Sequence, residues 1–436
     1  MKSSESNAVL LAMPRPSGAD PGMPPACRLA RARRPLMSRR AARAHHRHSP
    51  HSERPALPAT AFDVAVVGAG PAGCVAAIQL ARSGVRVALV DKAKLPRYKA
   101  CGGGVVGRAR RLLPVDIAPV VVRECRHAEI NVLDQNLHIV CERERPIVSM
   151  TMRGELDHFL ARAAAEAGAT LLAPVEIRGF RADRVCVLET ADGNLTASLV
   201  VAADGATGFV SRAAGWPACH ASIPALECEV PVDAATFRRF ALTARFDYGV
   251  IPHGYAWVFP KQSHLSVGVL STRRGPVGLQ AHLERYLAQL DIAAAGEVAR
   301  HGYVIPVRPV ARTFVKNRTL LVGDAAGLVE PVAAEGISFA VLSGRLAADA
   351  IVQGGLDEPR VRDLYHASLR SNILSELAAA RLLAKVLYDW TYLRRWAFKI
   401  NGRLLAEGVT DVYLGERTYR GSLSSPLNYL RLLYRR

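Results

Sequence analysis

The chain has 436 residues, half of them apolar, which excludes a disordered chain and leaves length for two or three domains with a substantial core. Its net charge of +19 would point to nucleic acid or an anionic membrane if spread evenly, but it sits at the ends. Residues 1–60 carry eleven Lys/Arg against three Asp/Glu and residues 381–436 eleven against four, so +4 remains between them, an ordinary balance for an enzyme that does not bind nucleic acid. The eight cysteines form no CxxC pair and no zinc-like spacing with histidine. No apolar run approaches the ~20 residues of a spanning helix, so reduced thiols, no metal centre and no membrane span are expected.

Residues 1–60 are rich in Arg, Pro, Ser, Ala and His without apolar periodicity, and cannot bury enough surface to offset the entropy of ordering. A disordered basic extension is expected there. Two origins stay open: an organellar transit peptide, from the Arg-rich, acid-poor composition, and an extended start of a bacterial, cytoplasmic protein.

Phe62–Asp91 then reads as a complete strand–turn–helix–strand unit. The apolar run Phe62–Val67 meets Gly68-Ala69-Gly70-Pro71-Ala72-Gly73, in which Gly68 permits a tight turn, Gly70 lets the backbone approach a pyrophosphate and Gly73 lets the helix pack on the strand. A helix is predicted from about Ala72 to Ser83, stopped by Gly84, with a second strand over Val85–Val90. Asp91, 18 residues past Gly73, is placed to accept hydrogen bonds from a ribose. Together these predict a Rossmann-type site for NAD or FAD.

Downstream lies Pro96-Arg97-Tyr98-Lys99-Ala100-Cys101-Gly102-Gly103-Gly104-Val105-Val106, whose three glycines expose backbone amides to a flat ligand. This stretch resembles the PxxYxxCGG signature of geranylgeranyl reductase flavoproteins, within the group that includes para-hydroxybenzoate hydroxylase. Three further segments are similar to that group's FAD contacts, in the same order: Met152-Arg153-Gly154-Glu155-Leu156-Asp157, the strand Leu199–Ala203 ending in Asp204-Gly205, and Leu320-Leu321-Val322-Gly323-Asp324 running on to Pro331 and Gly336-Ile337. The resemblance implies FAD contacts from Gly68, Gly70, Ala72, Gly73, Asp91, Lys92, Gly102, Gly103, Arg153, Asp204, Gly205, Gly323, Asp324, Gly336 and Ile337. The helix opening at Gly336 would aim its partial positive charge at the flavin's pyrimidine edge.

Between these segments, short alternating runs such as Ala128–Leu133 and His264–Val269 predict antiparallel strands of a substrate-covering sheet. Within them Gly254-Tyr255-Ala256-Trp257-Val258-Phe259-Pro260-Lys261 is similar to the family's GYxWVFP stretch, and Tyr255, Trp257, Phe259 and Pro331 are implied substrate contacts; ordinary core packing of Trp257 and Phe259 is the alternative. The resulting expectation is an α/β fold with a discontinuous Rossmann-type FAD domain (61–115, 149–220, 305–355), an inserted antiparallel sheet (116–148, 221–304) and a helical region (356–436). In that last region Leu383, Val386, Leu387, Trp390, Leu393, Ala397 and Ile400 recur at helical spacing opposite Arg381, Lys385, Tyr388, Tyr392, Arg395 and Lys399. Such a pattern suits either peripheral contact with an anionic membrane or a cap on the flavin domain.

The resemblance implies reduction of carbon–carbon double bonds in a prenylated lipid or prenyl diphosphate. NADPH, NADH or ferredoxin would reduce FAD, a hydride would pass to one alkene carbon, and a proton from Tyr98 or Cys101 would reach the other. A flavin monooxygenase or halogenase on the same scaffold is the alternative, although the halogenase GWxWxIP signature is absent.

Overall fold

The apolar run at Ala61–Val67 becomes the central strand of an eight-stranded sheet, with Val64, Ala65 and Val66 fully buried between covering layers. Val87–Val90 pairs with it in parallel on one side and Gly193–Ala202 on the other; Thr170–Leu172 and Thr319–Leu321 extend the parallel core outward. Gly179–Ala182, Cys186–Thr190 and Val315–Lys316 add antiparallel edges. The computed structural model describes residues 61–217, 222–273, 275 and 277–424, all within the unit Pro55–Arg436. The basic extension expected over 1–60 lies outside the described residues, as do residues 425–436 of the helical region.

The first helix runs over Pro71–Arg82, with a proline in its first turn where no intrahelical N–H is lost. It packs on the 18-residue helix Ile337–Gly354 so closely that glycine is required. A Cβ on Gly344 would stand 2.1 Å from the Ala72 carbonyl oxygen, and one on Gly73 would stand 1.9 Å from that of Gly68. This approach brings the two helices' N-termini to the same end of the sheet.

The second layer is a seven-stranded sheet in the order Ala299–Pro306, Ser222–Pro231, His264–Ser271, Gly254–Pro260, Thr243–Tyr248, His127–Val132, Leu137–Glu142, antiparallel throughout except where Thr243–Tyr248 meets His127–Val132. The expected antiparallel sheet is therefore present. Gly104–Val106, Val148–Thr151 and Val121–Cys125 form a separate three-stranded sheet between the layers' connections.

Side-chain alternation divides the strand Gly254–Pro260 between two cores. Tyr255 and Trp257 join the large core that faces the parallel sheet, whereas Ala256 and Val258 join a smaller one under the helices Ala234–Phe240 and Leu279–Gln289.

The C-terminal region is helical, but its register departs from the amphipathic reading. Ser375–Tyr388 and Thr391–Leu414 are separate helices, and the break at Asp389–Trp390 rotates the faces relative to one another. Tyr388, expected on the polar stripe, is buried and donates its hydroxyl to the Val332 carbonyl. Beyond the break Arg394 and Phe398 turn inward, while Trp390, Leu393 and Ile400 of the expected apolar stripe face solvent. Arg394 is tied down by the Asp134 carboxylate at 2.7 Å and the Leu387 carbonyl at 3.1 Å, so an ion pair overrode the hydrophobic pattern.

Gly344→Ala tests the helix contact. The added methyl has no room against Ala72, and thermal denaturation should show a loss of about 1–3 kcal/mol, whereas Gly355→Ala, whose Cβ would meet nothing, should cost only the strain of its positive φ.

Candidate functional site

The carboxyl ends of the parallel strands and the inner face of the seven-stranded sheet enclose a cavity of about 540 Å³, the usual ligand position in such sheets. Gly68, at φ +109, makes the turn from the first strand into it; a Cβ there would lie 2.3 Å from the Ala203 carbonyl oxygen. A side chain at Gly70 would point into open space. The rim thus presents bare backbone where a phosphate group could approach.

Charge at this rim is organised as a chain. Asp91 accepts the amides of Ala69 and Ala93 and pairs with Arg97 at 3.3 Å; Arg97 reaches the fully buried Asp157 at 3.2 Å, and Asp157 takes both Nε and Nη2 of Arg153 at 3.1 Å. Burial works against the Arg153 charge, yet Asp157 and the nearby Cys101 sulfur raise its pKa above the ordinary arginine value. Lys99 lies 3.3 Å above the Tyr303 ring, its pKa lowered by burial and by Arg153, and the Tyr303 hydroxyl donates to Asp324 at 3.1 Å. A cationic face beside Asp324 can oppose phosphate while Asp324 keeps acceptor capacity for hydroxyls.

The glycine turn Cys101–Gly104 is gripped by the seven-stranded sheet. Glu227 accepts the Cys101 amide at 2.7 Å and the Tyr98 hydroxyl at 3.0 Å through the same oxygen. Lys261, 1% exposed, donates to the carbonyls of Gly102 and Thr151. Burial, then the charge of Glu229, raises the Glu227 pKa; burial lowers that of Lys261 against the pull of Glu229. The Tyr98 ring rests 4.0 Å from His301, and Phe259 closes on Gly102, where a Cβ would meet its ring at 2.9 Å. Phe246, Tyr255, Trp257 and Phe259 form a linked aromatic wall with ring separations of 5.4–6.3 Å.

The helix N-terminus at Gly336 and Ile337 lines the cavity as expected, but a carboxylate shares it. Glu335 accepts the Ser338 amide at 2.8 Å and pairs with Arg108 at 3.0 Å. Nearby Glu330 is wholly buried and accepts the amides of Val332 and Ala333 at 2.7 and 2.9 Å. Its pKa is pushed up to about 7 by burial, which outweighs those amides; Glu335 raises it further and Arg108 opposes.

Of the residues singled out from the sequence, Gly68, Gly70, Ala72, Asp91, Lys92, Tyr98, Cys101, Gly102, Gly103, Arg153, Asp204, Gly205, Tyr255, Trp257, Phe259, Asp324, Gly336 and Ile337 all face this one cavity. Gly73, Gly323 and Pro331 stand behind its wall: Gly73 against Gly68, Gly323 against Ala72, and Pro331 buried in the loop whose flanks, Val329 and Ala333, do face it. Sequence reasoning missed Arg97, Asp157, Glu227, Lys261, His301 and Tyr303. Arg97, Asp157 and Lys261 stood inside quoted segments without a role assigned to them, and Glu227 left a trace as an acid inside the apolar strand Ser222–Pro231.

Residues 61–351 match the FAD binding domain family, and the chain belongs to that family of flavoproteins. Within it the chain is a member of the geranylgeranyl reductase group. It is 28% identical over 399 residues to the chloroplastic geranylgeranyl diphosphate reductase of Arabidopsis thaliana, covering 85% of this chain and 83% of that one. It is 30% identical to a menaquinone reductase of Mycolicibacterium smegmatis, with 75% and 85% covered. Among solved structures, a geranylgeranyl bacteriochlorophyll reductase-like protein from Thermoplasma acidophilum shares the fold with a TM-score of 0.68 at 22% identity, over 86% of this chain and 96% of that one. The flavin-dependent brominase Bmp2 shares it with a TM-score of 0.63 at 18% identity, over 82% and 94%.

The cavity fits FAD. Asp204 spends one carboxylate oxygen on the Val210 amide, while its other oxygen is buried without a hydrogen-bond partner. A buried acceptor in that state costs about 1–3 kcal/mol until a ligand donor reaches it, and burial raises its pKa. Asp204→Ala should accordingly hold FAD at least about tenfold more weakly, read from flavin fluorescence during titration of the apoprotein.

Glu330 makes stability depend on pH. The native state keeps a proton that the unfolded chain releases near pH 4.5, so stability is lost as pH rises from there through about 7. The loss is at most about 3 kcal/mol. Wild-type Tm should fall between pH ~5 and ~8, and the Glu330→Gln curve should be flatter.

Proposed function

We propose that this flavoprotein saturates carbon–carbon double bonds in a geranylgeranyl or other prenyl chain, with NADPH, NADH or a ferredoxin as electron source. The observation that carries this reading is the aromatic wall of Phe246, Tyr255, Trp257 and Phe259, which gives the cavity an apolar side packed against the Cys101–Gly104 turn. An unactivated alkene has no carbonyl oxygen to polarise, so the protein's task is to orient a greasy chain, exclude water and place a proton. When bound, reduced FAD supplies the hydride. The two relatives named for reductases of a geranylgeranyl diphosphate and of menaquinone support a prenyl-bearing substrate.

Hydride on one alkene carbon requires a proton on the other, and Tyr98 and Cys101 both face the cavity. Glu227 positions the pair, holding one by its hydroxyl and the other by its backbone. Burial, followed by the charges of Glu227 and Glu229, raises the Tyr98 pKa, so the phenol keeps its proton at neutral pH. Tyr98→Phe, Cys101→Ser and Glu227→Gln each remove one part of this arrangement. The variant lacking the true donor should oxidise reduced flavin with prenyl substrate about 10²-fold more slowly in single turnover, while its reduction by the electron donor stays unchanged.

The reading itself is tested by incubating reduced holoenzyme with geranylgeranyl diphosphate and with a prenylated quinone under anaerobic conditions. Mass spectrometry should detect the mass of two added hydrogens per saturated bond. The brominase likeness supplies the competing outcome: oxygen consumption in step with a hydroxylated or halogenated product would replace the reductase reading with a monooxygenase or halogenase.

A further inference from the structure

The helix Thr391–Leu414 presents to solvent what a soluble surface normally hides. Before its kink at Asn401, Tyr392, Trp396 and Ile400 recur at i, i+4 and i+8, with Leu393 beside them and Trp390 at the helix entrance. Their exposures are 90, 54 and 46%, with Leu393 at 40% and Trp390 at 48%. Thus five of the thirteen large apolar side chains exposed among the described residues fall within eleven consecutive positions.

The charges around them are mainly positive. Arg395 and Lys399 lie one helical row over and Lys385 precedes the break; all three are exposed, and none of them has an ion-pair partner among the described residues. Arg394, by contrast, is buried and neutralised by Asp134, and Arg403 reaches Glu407 at 3.7 Å. The only acid between residues 381 and 403 is Asp389, whose carboxylate lies 3.4 Å from the His253 ring. Solvent-facing tryptophan and tyrosine among unpaired cations are matched by one kind of surface, a bilayer whose interface accepts amphipathic rings and whose headgroups carry negative charge.

We propose that this face, Trp390 to Ile400, is a docking surface for an anionic phospholipid membrane. No described helix is long and apolar enough to cross a membrane, so contact is at the interface. The surface is joined to the candidate site by packed rings: Trp257 of the cavity lies 6.1 Å from Tyr255, Tyr255 5.7 Å from Tyr248, and Tyr248 6.1 Å from Tyr388, two residues before Trp390. A protein docked through this face would hold the cavity's aromatic wall close to the phase in which long apolar chains reside.

The test is vesicle flotation of the full-length holoprotein with phosphatidylcholine alone and with phosphatidylcholine plus phosphatidylglycerol. It reads binding without catalysis, so its outcome is separate from that of the reductase reading. Wild type should float with the anionic vesicles, with a blue-shifted tryptophan emission, and should dissociate as salt rises. The pair Trp396→Ser with Ile400→Ser should lower binding at least about tenfold. Arg395→Glu with Lys399→Glu should erase the preference for anionic lipid. Both should retain wild-type flavin content and Tm, since neither pair is buried. Three outcomes overturn the proposal: no flotation of the full chain, binding undiminished in both double variants, or flotation appearing only after deletion of residues 425–436, which would make the chain's own terminus the occupant. Concentration-dependent dimerisation abolished by Trp396→Ser/Ile400→Ser, without vesicle binding, would assign the face to a second copy and overturn it as well.

Discussion

The architecture turns on how one glycine turn is held. Cys101–Gly104 belongs in sequence to the connection after the second parallel strand, yet its backbone is fixed by an acid and an amine from the other sheet: Glu227 on the Cys101 amide, Lys261 on the Gly102 carbonyl. Both side chains are nearly fully buried, where an unpaired charge is prohibitive. Losing either partner while the layers stay packed would leave the other group buried without its hydrogen bond. Glycine is obligatory because the grip is tight; a Cβ on Gly103, at φ +62, would stand 2.2 Å from the Thr151 carbonyl oxygen.

That grip determines what the cavity can do. It sets the Cys101–Gly104 turn against an aromatic wall, while Asp91, Arg97 and Arg153 line the same cavity, linked through the buried Asp157 in a chain of alternating charge. One end is thus polar and phosphate-seeking and the other apolar. A flavin with its diphosphate at the first and an alkene at the second would use both without conflict. The Glu330–Glu335–Arg108 cluster lies behind the helix N-terminus and places negative charge near a dipole usually read as purely positive.

The aromatic strand shows how neighbouring residues acquire separate roles. Tyr255, Trp257 and Phe259 face the cavity because period-two alternation sends Ala256 and Val258 to the outer core. Trp257 and Phe259 are packed against neighbouring rings and also line the cavity. In the C-terminal helices alternation failed as a guide, since a two-residue break shifted the phase and Arg394 found a carboxylate 260 residues away in sequence.

What the sequence by itself determined was the local grammar: the strand–glycine turn–helix unit, the order of the cofactor segments, the antiparallel sheet and the helical end. These depend on steric rules of glycine, on apolar periodicity and on contiguous motifs, all of which operate within a few residues. Only the tertiary structure decided which distant side chains meet. Glu227 and His301 carry no motif, and Asp157 and Lys261 lie in quoted segments that say nothing of their partners, because these roles arise from contacts, hydrogen bonds and ion pairs closed across the chain. The face that residues 390–400 turn outward was likewise settled by a helix break and one buried ion pair, and neither has a local signature.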